Sequence, residues 1–251
     1  HQPKTWIRSR PLLILGWWVA LLAQGGLPAR GADAADTDKA KESNMEVRVM
    51  SFNIRYGSAK DGENAWPLRK SLVVQTIERF QPDLLAVQEA EAAQVDELRQ
   101  ALSGYELAGV GRTDGQRQGE FSPVLWKSER FERIAAGTFW LSETPDQPGS
   151  KSWDSALPRI ASWVRLRDRS DQQELLFCST HFDHRGEQAR LESAKLLSGQ
   201  LSRLADGCDL ILAGDFNCGE DSPPYRQLLG PASGSRAHWT DTYRASHPSR
   251  E

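Results

Sequence analysis

Residues 209–217 read Asp-Leu-Ile-Leu-Ala-Gly-Asp-Phe-Asn, an apolar run followed by polar side chains. The run has no polar residue on either face, so it predicts a strand that is buried on both sides in a helix-covered sheet. A turn after such a strand needs one polar side chain, yet Asp215 and Asn217 supply an acid and an amide. This stretch therefore predicts a layered α/β fold with a functional group at the end of one strand.

Three other strand-like runs end in the same way. Residues 46–54 alternate like a half-buried strand, and residues 84–87 and 174–180 are typical of buried strands. The polar residues at their ends are Asn53, Glu89 and His181. A carboxylate or imidazole at the mouth of a sheet is desolvated on one side, which favours metal binding and electrostatic stabilisation. Four such ends from separate parts of the chain predict one shared cleft.

Each of these residues also has a purely structural interpretation. Asn53 could cap a turn, Glu89 could belong to the N-terminal cap of the next helix, and His181 could be a core histidine with its hydrogen bonds satisfied. The Asp215/Asn217 pair is harder to explain as a turn. The set as a whole favours a functional site over unrelated structural residues.

Helical periodicity separates the strands. A first helix is expected to open at Pro67 and to end before Pro82, a second to run from about Ala93 to Ser103, and a third over residues 187–204. The predicted apolar face of the first helix consists of Leu68, Leu72, Val73, Ile77 and Phe80. The predicted stripe of the third consists of Leu191, Ala194, Leu197, Leu201 and Leu204. Residues 105–166 have short β-like runs between turn-rich loops, which predict hairpins.

The first 34 residues have the pattern of an export signal. Lys4, Arg8 and Arg10 form a basic front, residues 11–22 are an apolar run, and Ala32-Asp33-Ala34 matches a cleavage site. The alternative is a membrane anchor, but the run is only about half of the ~20 residues that span a bilayer. We therefore predict a periplasmic or secreted protein cleaved near Ala34, with a linker at residues 35–45 and one domain at residues 46–251.

Charge and cysteine content indicate which binding partners and which disulfides the chain can have. Residues 1–34 hold four of the 31 basic residues and one of the 34 acidic residues, so the remainder carries a formal net charge of −6. Long nucleic acid usually needs a basic stripe, so nucleic acid is a partner that the charge does not favour. Cys178, Cys208 and Cys218 are an odd set, and a strand between the last two would hold them too far apart for a disulfide. All three are predicted to be reduced and mostly buried.

The ordered motifs of the chain resemble those of the endonuclease/exonuclease/phosphatase family, also described as DNase I-like. They are Ser51-Phe52-Asn53, Gln88-Glu89, Ser179-Thr180-His181 and Gly214-Asp215-Phe216-Asn217. Residues 140–145 and 180–186 resemble a bacterial, exported branch of metal-dependent hydrolases. The resemblance covers roughly residues 46–245, and the ordered set is specific although each motif alone is weak.

The resemblance implies a four-layered α/β sandwich, with two packed mixed β-sheets flanked by helices. It also implies that the protein hydrolyses phosphodiesters or phosphomonoesters. Glu89 resembles the main ligand of Mg²⁺, with Mn²⁺ as the alternative ion, and Asn53 resembles a supporting residue beside the metal. His181 resembles the donor that holds a phosphoryl oxygen, and Asp215 and Asn217 resemble the pair that orients the attacking water and the phosphate. Mg²⁺ prefers hard oxygen ligands and keeps several waters, so few protein carboxylates are needed.

The resemblance does not decide the roles of several residues, and one region departs from the family pattern. Asp183 and His184 could orient His181 or only shape its loop, and Glu120 and Arg159 could line the cleft. Family members also end with an Asp on a late strand and a Ser-Asp-His motif, for which this chain has no counterpart. His247 is predicted to be an ordinary loop histidine. We therefore expect a C-terminally incomplete domain, a fragment of a longer active protein.

The leading hypothesis is a Mg²⁺-dependent hydrolase of phosphate esters that uses metal-assisted water attack. A second enzyme hypothesis is a dinuclear metallophosphatase, because Gly-Asp-x-Asn resembles one of its motifs, although the chain has no Gly-Asn-His motif. A non-enzyme hypothesis is a catalytically inactive, ligand-binding pseudoenzyme. The sequence leaves nucleic acid, phosphoinositide, sphingomyelin-like lipid and sugar phosphate open as substrates. A monomer without a stable membrane span is expected.

Overall fold

The computed structural model describes residues 4–8, 21–23, 46–230 and 239–248, so most of the predicted signal and linker lies outside the described residues. The strands are β1 (Lys4–Arg8), β2 (Leu21–Ala23), β3 (Val49–Asn53), β4 (Leu84–Gln88), β5 (Tyr105–Ala108), β6 (Val124–Lys127), β7 (Phe131–Trp140), β8 (Ile160–Asp168), β9 (Glu174–His181), β10 (Asp209–Asp215) and β11 (Thr240–Asp241). The α-helices are α1 (Trp66–Phe80), α2 (Ala92–Ala101), α3 (Glu187–Ala205), α4 (Pro223–Leu229) and α5 (Thr242–Ser246), with a 3₁₀ turn at Gly62–Asn64.

The strands form two mixed sheets. The four-stranded sheet has the order β3-β4-β6-β5, with β3 parallel to β4 and the other pairs antiparallel. The seven-stranded sheet has the order β11-β1-β10-β9-β8-β7, with β2 beside β1. In it β9 and β10 are parallel, whereas β7, β8 and β9 form an antiparallel meander. The hairpins predicted for residues 105–166 are therefore confirmed, and β7 begins earlier than its most apolar residues suggested.

Alternating side chains of β4 show how the layers pack. Leu84 and Ala86 belong to a core shared with the other sheet, whereas Leu85 and Val87 pack in a second core with residues of α1 and α2. Successive strand residues point to opposite faces, so a fully apolar strand serves both cores. Buried residues of α3 and α4 join the core of the seven-stranded sheet. The predicted α/β sandwich of two packed mixed sheets with flanking helices is confirmed.

Gly214 of β10 lies opposite Thr180 of β9, one residue before Asp215. A Cβ atom at Gly214 would lie 2.3 Å from the carbonyl oxygen of Thr180. Any side chain at this position would therefore push the two strands apart, directly before Asp215. The glycine is required by strand packing, and it fixes the position of the carboxylate that follows.

The apolar face predicted for α1 is partly wrong. Val73 and Ile77 are buried as expected, but Leu68 and Leu72 are 68% and 65% exposed, and Trp66 is buried instead. Residues of an α-helix advance by about 100° each, so Leu68 and Leu72 lie well over 90° away from the line through Trp66, Val73 and Ile77. The corrected face also explains why Trp66, one residue before the proline, belongs to the core.

The predicted apolar stripe of α3 is confirmed with small changes. Ala194, Leu197 and Leu201 of α3 are buried, whereas Leu191 and Leu204 are only half-buried. The three cysteines form no disulfide with one another, and Cys178 is buried whereas Cys208 and Cys218 are half-buried. Within the described residues, no helix is both long enough and apolar enough to cross a membrane.

Candidate active site

The ends of β3, β4, β9 and β10 bring the five predicted site residues together. Strand pairing places Asp215 opposite His181 in one sheet and Asn53 opposite Gln88, next to Glu89, in the other. Because the carboxyl ends of parallel strands lie at one edge of a sheet, the site forms where these two edges meet. The predicted shared cleft is thus assembled from both sheets.

Asn53 connects the two carboxylates of the site. Its Nδ2 donates to Oε1 of Glu89 at 2.8 Å and to Oδ2 of Asp215 at 3.1 Å. The second oxygen of Glu89 accepts a hydrogen bond from the backbone N–H of Tyr56 at 3.3 Å. Asn53 therefore holds one carboxylate from each sheet on the same side of the cleft, rather than capping a turn alone.

Asn217 organises the other side of the cleft. Its backbone N–H donates to Oδ1 of Asp215 at 3.1 Å, and its Nδ2 contacts Nε2 of His181 and the carbonyl of Phe182, each at 3.0 Å. Nε2 of His181 also lies 3.8 Å from Oδ2 of Asp215. An amide donor facing Nε2 indicates an imidazole that accepts there and carries its proton on Nδ1.

Two of these residues adopt an uncommon backbone conformation. Glu89 has φ 62° and Asn217 has φ 48°, both in the left-handed region that non-glycine residues rarely occupy. Such strain costs about 1–3 kcal/mol and persists where the surroundings fix it, often at functional sites. Here Glu89 directly follows β4, Asn217 lies two residues after the end of β10, and each turns its side chain into the shared cleft.

Electrostatics keep His181 neutral. Burial and, to a lesser extent, the charges of Arg159 and Arg112 lower the pKa of His181 to about 3, although Asp215 opposes them. Its Nδ1 is buried and has no hydrogen-bond partner among the described residues. A neutral imidazole can take part in hydrogen bonds at neutral pH without carrying a positive charge.

A buried amide lies beneath the site. Gln88 is fully buried, its Oε1 accepts from the hydroxyl of Ser51 at 3.4 Å, and its Nε2 donates to Oγ of Ser179 at 3.3 Å. Ser51 lies two residues before Asn53, and Ser179 two residues before His181. This network links the two sheets directly behind the residues that each sheet contributes to the site.

Comparison with known proteins identifies the family. The model of the Endonuclease/Exonuclease/phosphatase family matches residues 50–250. The chain belongs to this family. It is 36% identical to the endonuclease/exonuclease/phosphatase from Bacteroides vulgatus, with a TM-score of 0.71, over 73% of this chain and 70% of that one. The mannosyl-6-phosphatase from Bacteroides thetaiotaomicron gives the same four values.

A curated relative is more distant. Nocturnin from Drosophila melanogaster is 26% identical over 204 residues, which cover 74% of this chain and 31% of that protein. The chain spans about a third of the length of the first curated relatives that it matches. The predicted family is confirmed, and its members include phosphatases and nucleases. The match favours this family over the dinuclear metallophosphatase hypothesis.

The ligands available in the cleft have the chemistry expected for a family whose enzymes generally use divalent metals. Glu89 and Asp215 offer carboxylate oxygens, and Asn53 lies between them with an amide. Hard oxygen donors of this kind suit Mg²⁺. Within the described residues, no group of three or more His, Cys, Asp or Glu side chains is arranged to hold a metal ion.

Asp183 shapes the loop after β9. Its Oδ1 accepts from the backbone N–H groups of Arg185 and Gly186 at 2.9 and 2.8 Å, and its Oδ2 contacts Nε of Arg159 at 3.4 Å. Burial opposes ionisation of Asp183, but these backbone donors and Arg159 outweigh it and hold its pKa well below the usual value. Of the two roles considered from sequence, its contacts support shaping of the loop.

His184 and Glu120 each contact an arginine whose charge acts on His181. Nδ1 of His184 is 2.9 Å from Nη2 of Arg159, and Glu120 forms a two-pronged ion pair with Arg112. Arg112 was not identified from the sequence. The signal available was a glycine directly before Arg112 and another directly before Glu120, which indicate a tight turn that brings the two residues together. His247 stacks on Tyr243 and contacts its carbonyl, as expected of an ordinary loop residue.

Proposed function

We propose that the full-length protein is a Mg²⁺-dependent hydrolase of phosphate esters. The observation that carries this proposal is the pair of hydrogen bonds from Asn53 to Glu89 and Asp215, which holds two carboxylates from different sheets at one point. Surface carboxylates normally repel each other, so their convergence needs a compensating cation. Glu89 would be the main protein ligand of Mg²⁺, with Asn53 beside it.

Each residue then has a distinct task. Mg²⁺, when bound, would neutralise the charge that develops on the phosphoryl oxygens. Asp215, whose Oδ1 is fixed by the N–H of Asn217, would accept a hydrogen bond from the attacking water and orient it. Neutral His181 would contact a phosphoryl oxygen without adding a positive charge. The Asn217 amide would hold the imidazole in place, because its Nδ2 contacts Nε2 of His181 and the carbonyl of Phe182.

We further propose a small phosphate ester as the substrate. The similarity to a mannosyl-6-phosphatase supports a sugar phosphate, and a net charge of −6 after residue 34 disfavours long nucleic acid. A mild negative charge repels a polyanion more strongly than a compact dianion. The substrate class is therefore proposed from overall charge and from similarity together.

The decisive experiment compares Glu89→Gln with Glu106→Gln, which changes an exposed carboxylate on β5. We expect the full-length protein to release phosphate from hexose phosphates with Mg²⁺ and to lose that activity with EDTA. Glu89→Gln should reduce kcat/KM at least about 1,000-fold, since one transition-state charge interaction is worth several kcal/mol. Glu106→Gln should retain activity. Turnover that persists in Glu89→Gln would refute the proposal, and binding without turnover by the unmodified protein would support the pseudoenzyme.

Export is also part of the proposal. It rests on the basic front, the apolar run and the cleavage-like Ala32-Asp33-Ala34. Cleavage near Ala34 would remove β1 and β2, and the sheet would retain β7 to β10. N-terminal sequencing of protein recovered outside the cytoplasm should begin near residue 35, whereas an intact N-terminus on that protein would contradict cleavage.

A further inference from the structure

A buried polar cluster lies beside the proposed catalytic residues, and the proposed mechanism does not use it. It consists of Arg112, Glu120, Arg159 and Asp183. Arg112 donates from Nη1 and Nη2 to the two carboxylate oxygens of Glu120 at 2.8 and 2.9 Å. Arg159 contacts Asp183 at 3.4 Å and is only 4% exposed. We refer to these four residues as the polar cluster.

Backbone contacts place the polar cluster next to the metal-ligand segment. The N–H of Phe121 donates to the carbonyl of Ala90 at 2.7 Å in an antiparallel bridge, so Glu120 lies opposite Glu91, two residues after Glu89. The charges of Glu89 and Glu120 interact, and those of Arg112 and Arg159 act on His181. The cluster therefore borders the site on both its metal side and its phosphate side.

Stability alone is a weak reason for this cluster. Replacing a buried ion pair by apolar residues of similar size is often neutral or stabilising, because two charges must be desolvated. The cluster is also not fully satisfied, since Nη1 of Arg159 is buried without a hydrogen-bond partner among the described residues. An uncompensated buried donor costs free energy, so the cluster is not an arrangement that serves stability alone.

The charges of the cluster indicate which ligand chemistry fits. Two guanidinium groups face two carboxylates, so their charges cancel. A second phosphate would need an excess of positive charge, whereas neutral hydroxyl groups need donors and acceptors side by side. A carboxylate and a guanidinium fork provide this combination. The part of Glu120 that remains accessible, 19% of its side chain, leaves an acceptor within reach of a ligand.

We propose that the polar cluster, through Glu120 and Arg112, is the specificity-determining site that recognises hydroxyl groups on the leaving group of the phosphate ester. This inference rests on the proposed function, and it assigns the substrate to monoesters of polyhydroxylated molecules. The phosphate is held by the catalytic residues, while the cluster distinguishes a sugar-like leaving group from an apolar one. Losing one charge-assisted hydrogen bond corresponds to about a 10- to 100-fold loss of affinity.

The test measures binding of two probes by calorimetry, with Ca²⁺ replacing Mg²⁺ to limit turnover. Glucose 6-phosphate carries hydroxyl groups, and phenyl phosphate carries none on its leaving group. We expect Glu120→Gln and Arg112→Lys each to weaken binding of glucose 6-phosphate about 10- to 100-fold and that of phenyl phosphate less than about 3-fold. Glu143→Gln, an exposed carboxylate in a neighbouring loop, should change neither.

The outcomes separate this inference from the proposed function. If the variants weaken binding of both probes equally, or weaken binding of neither, the inference is overturned and the cluster only anchors its hairpin. Thermal unfolding of each variant identifies a loss of folding, and Arg112→Lys preserves the charge balance if Glu120→Gln proves unstable. Absence of Mg²⁺-dependent hydrolysis would defeat the proposed function, but selective loss of glucose 6-phosphate binding would still support the cluster as a hydroxyl-binding site.

Discussion

At the scale of single residues, the surroundings decide the chemistry of His181. A solvent-exposed histidine is partly protonated near neutral pH, but this one is buried and faces two arginines. Its neutral form is therefore the stable form in the folded chain, despite the nearby carboxylate of Asp215. The sequence alone predicted a role for His181 but could not indicate its charge, because Arg112 and Arg159 are 69 and 22 positions away along the chain.

The charge of His181 predicts how stability depends on pH. Its pKa falls from 6.5 to about 3 on folding, so between these values the unfolded chain binds a proton that the folded chain excludes. Stability is therefore highest above pH 6.5 and is lost as the pH falls toward 3. At pH 5 the loss amounts to about 2 kcal/mol relative to pH 7.

Urea unfolding at both pH values, with EDTA present, should detect this loss in the unmodified chain. His181→Gln should remove most of the difference, because glutamine does not titrate. His247→Gln, which changes an exposed histidine, should preserve it. An equal pH dependence in all three proteins would show that His181 is not held neutral.

At the scale of secondary structure, α1 shows where sequence reading succeeds and fails. The proline near its start and the end before Pro82 are local signals, so the limits of the helix were predicted well. Its buried face was predicted less well, because Leu68 and Leu72 are apolar but point away from Val73 and Ile77. Hydrophobicity identifies residues that can be buried, and helix geometry determines which of them are.

The corrected face of α1 makes a direct prediction about stability. Ile77 is fully buried, so Ile77→Ala should cost about 2–5 kcal/mol. Leu68 is 68% exposed, so Leu68→Gln should change stability by no more than about 0.5 kcal/mol. Chemical denaturation of both variants measures these values, and comparable losses at the two positions would restore the face predicted from sequence.

The strand ends were more predictable than the helix face. Apolar runs that stop at Asn53, Glu89, His181 and Asp215 are visible in the sequence, and the structure brings all four together. The positive φ of Glu89 and Asn217 was not predictable, since neither is glycine and the conformation is imposed by the neighbouring strands. Arg112 was missed because a single arginine in a loop has no periodic pattern.

At the scale of the whole molecule, the fold depends on contacts between the two sheets. Arg130 lies in the turn between β6 and β7 and donates to Asp83, before β4, and to Asp168, at the end of β8, each at 2.8 Å. It therefore connects the four-stranded sheet to the seven-stranded one. Asp168 and Asp83 have side chains only 1% and 9% exposed, and Asp83 is also paired with Lys127 at 3.1 Å, so Asp168 depends more strongly on this guanidinium.

Removing this connection should destabilise the chain substantially. Arg130→Met leaves Asp168 buried without its cationic partner, which should cost about 3 kcal/mol. Arg133→Met, at an exposed position on β7, should cost no more than about 0.5 kcal/mol. Equilibrium unfolding of the two variants provides the comparison, and a small effect of Arg130→Met would mean that the sheets associate without it.

The central claim is that residues of both sheets meet around one divalent cation whose main protein ligand is Glu89. The most direct measurement is a Mn²⁺ titration followed by electron paramagnetic resonance, which reports binding without requiring turnover. We predict one site in the unmodified chain and at least about a 10-fold weaker affinity in Glu89→Gln, since the substitution removes the only charged group of the main ligand. Unchanged Mn²⁺ affinity in Glu89→Gln would contradict the account.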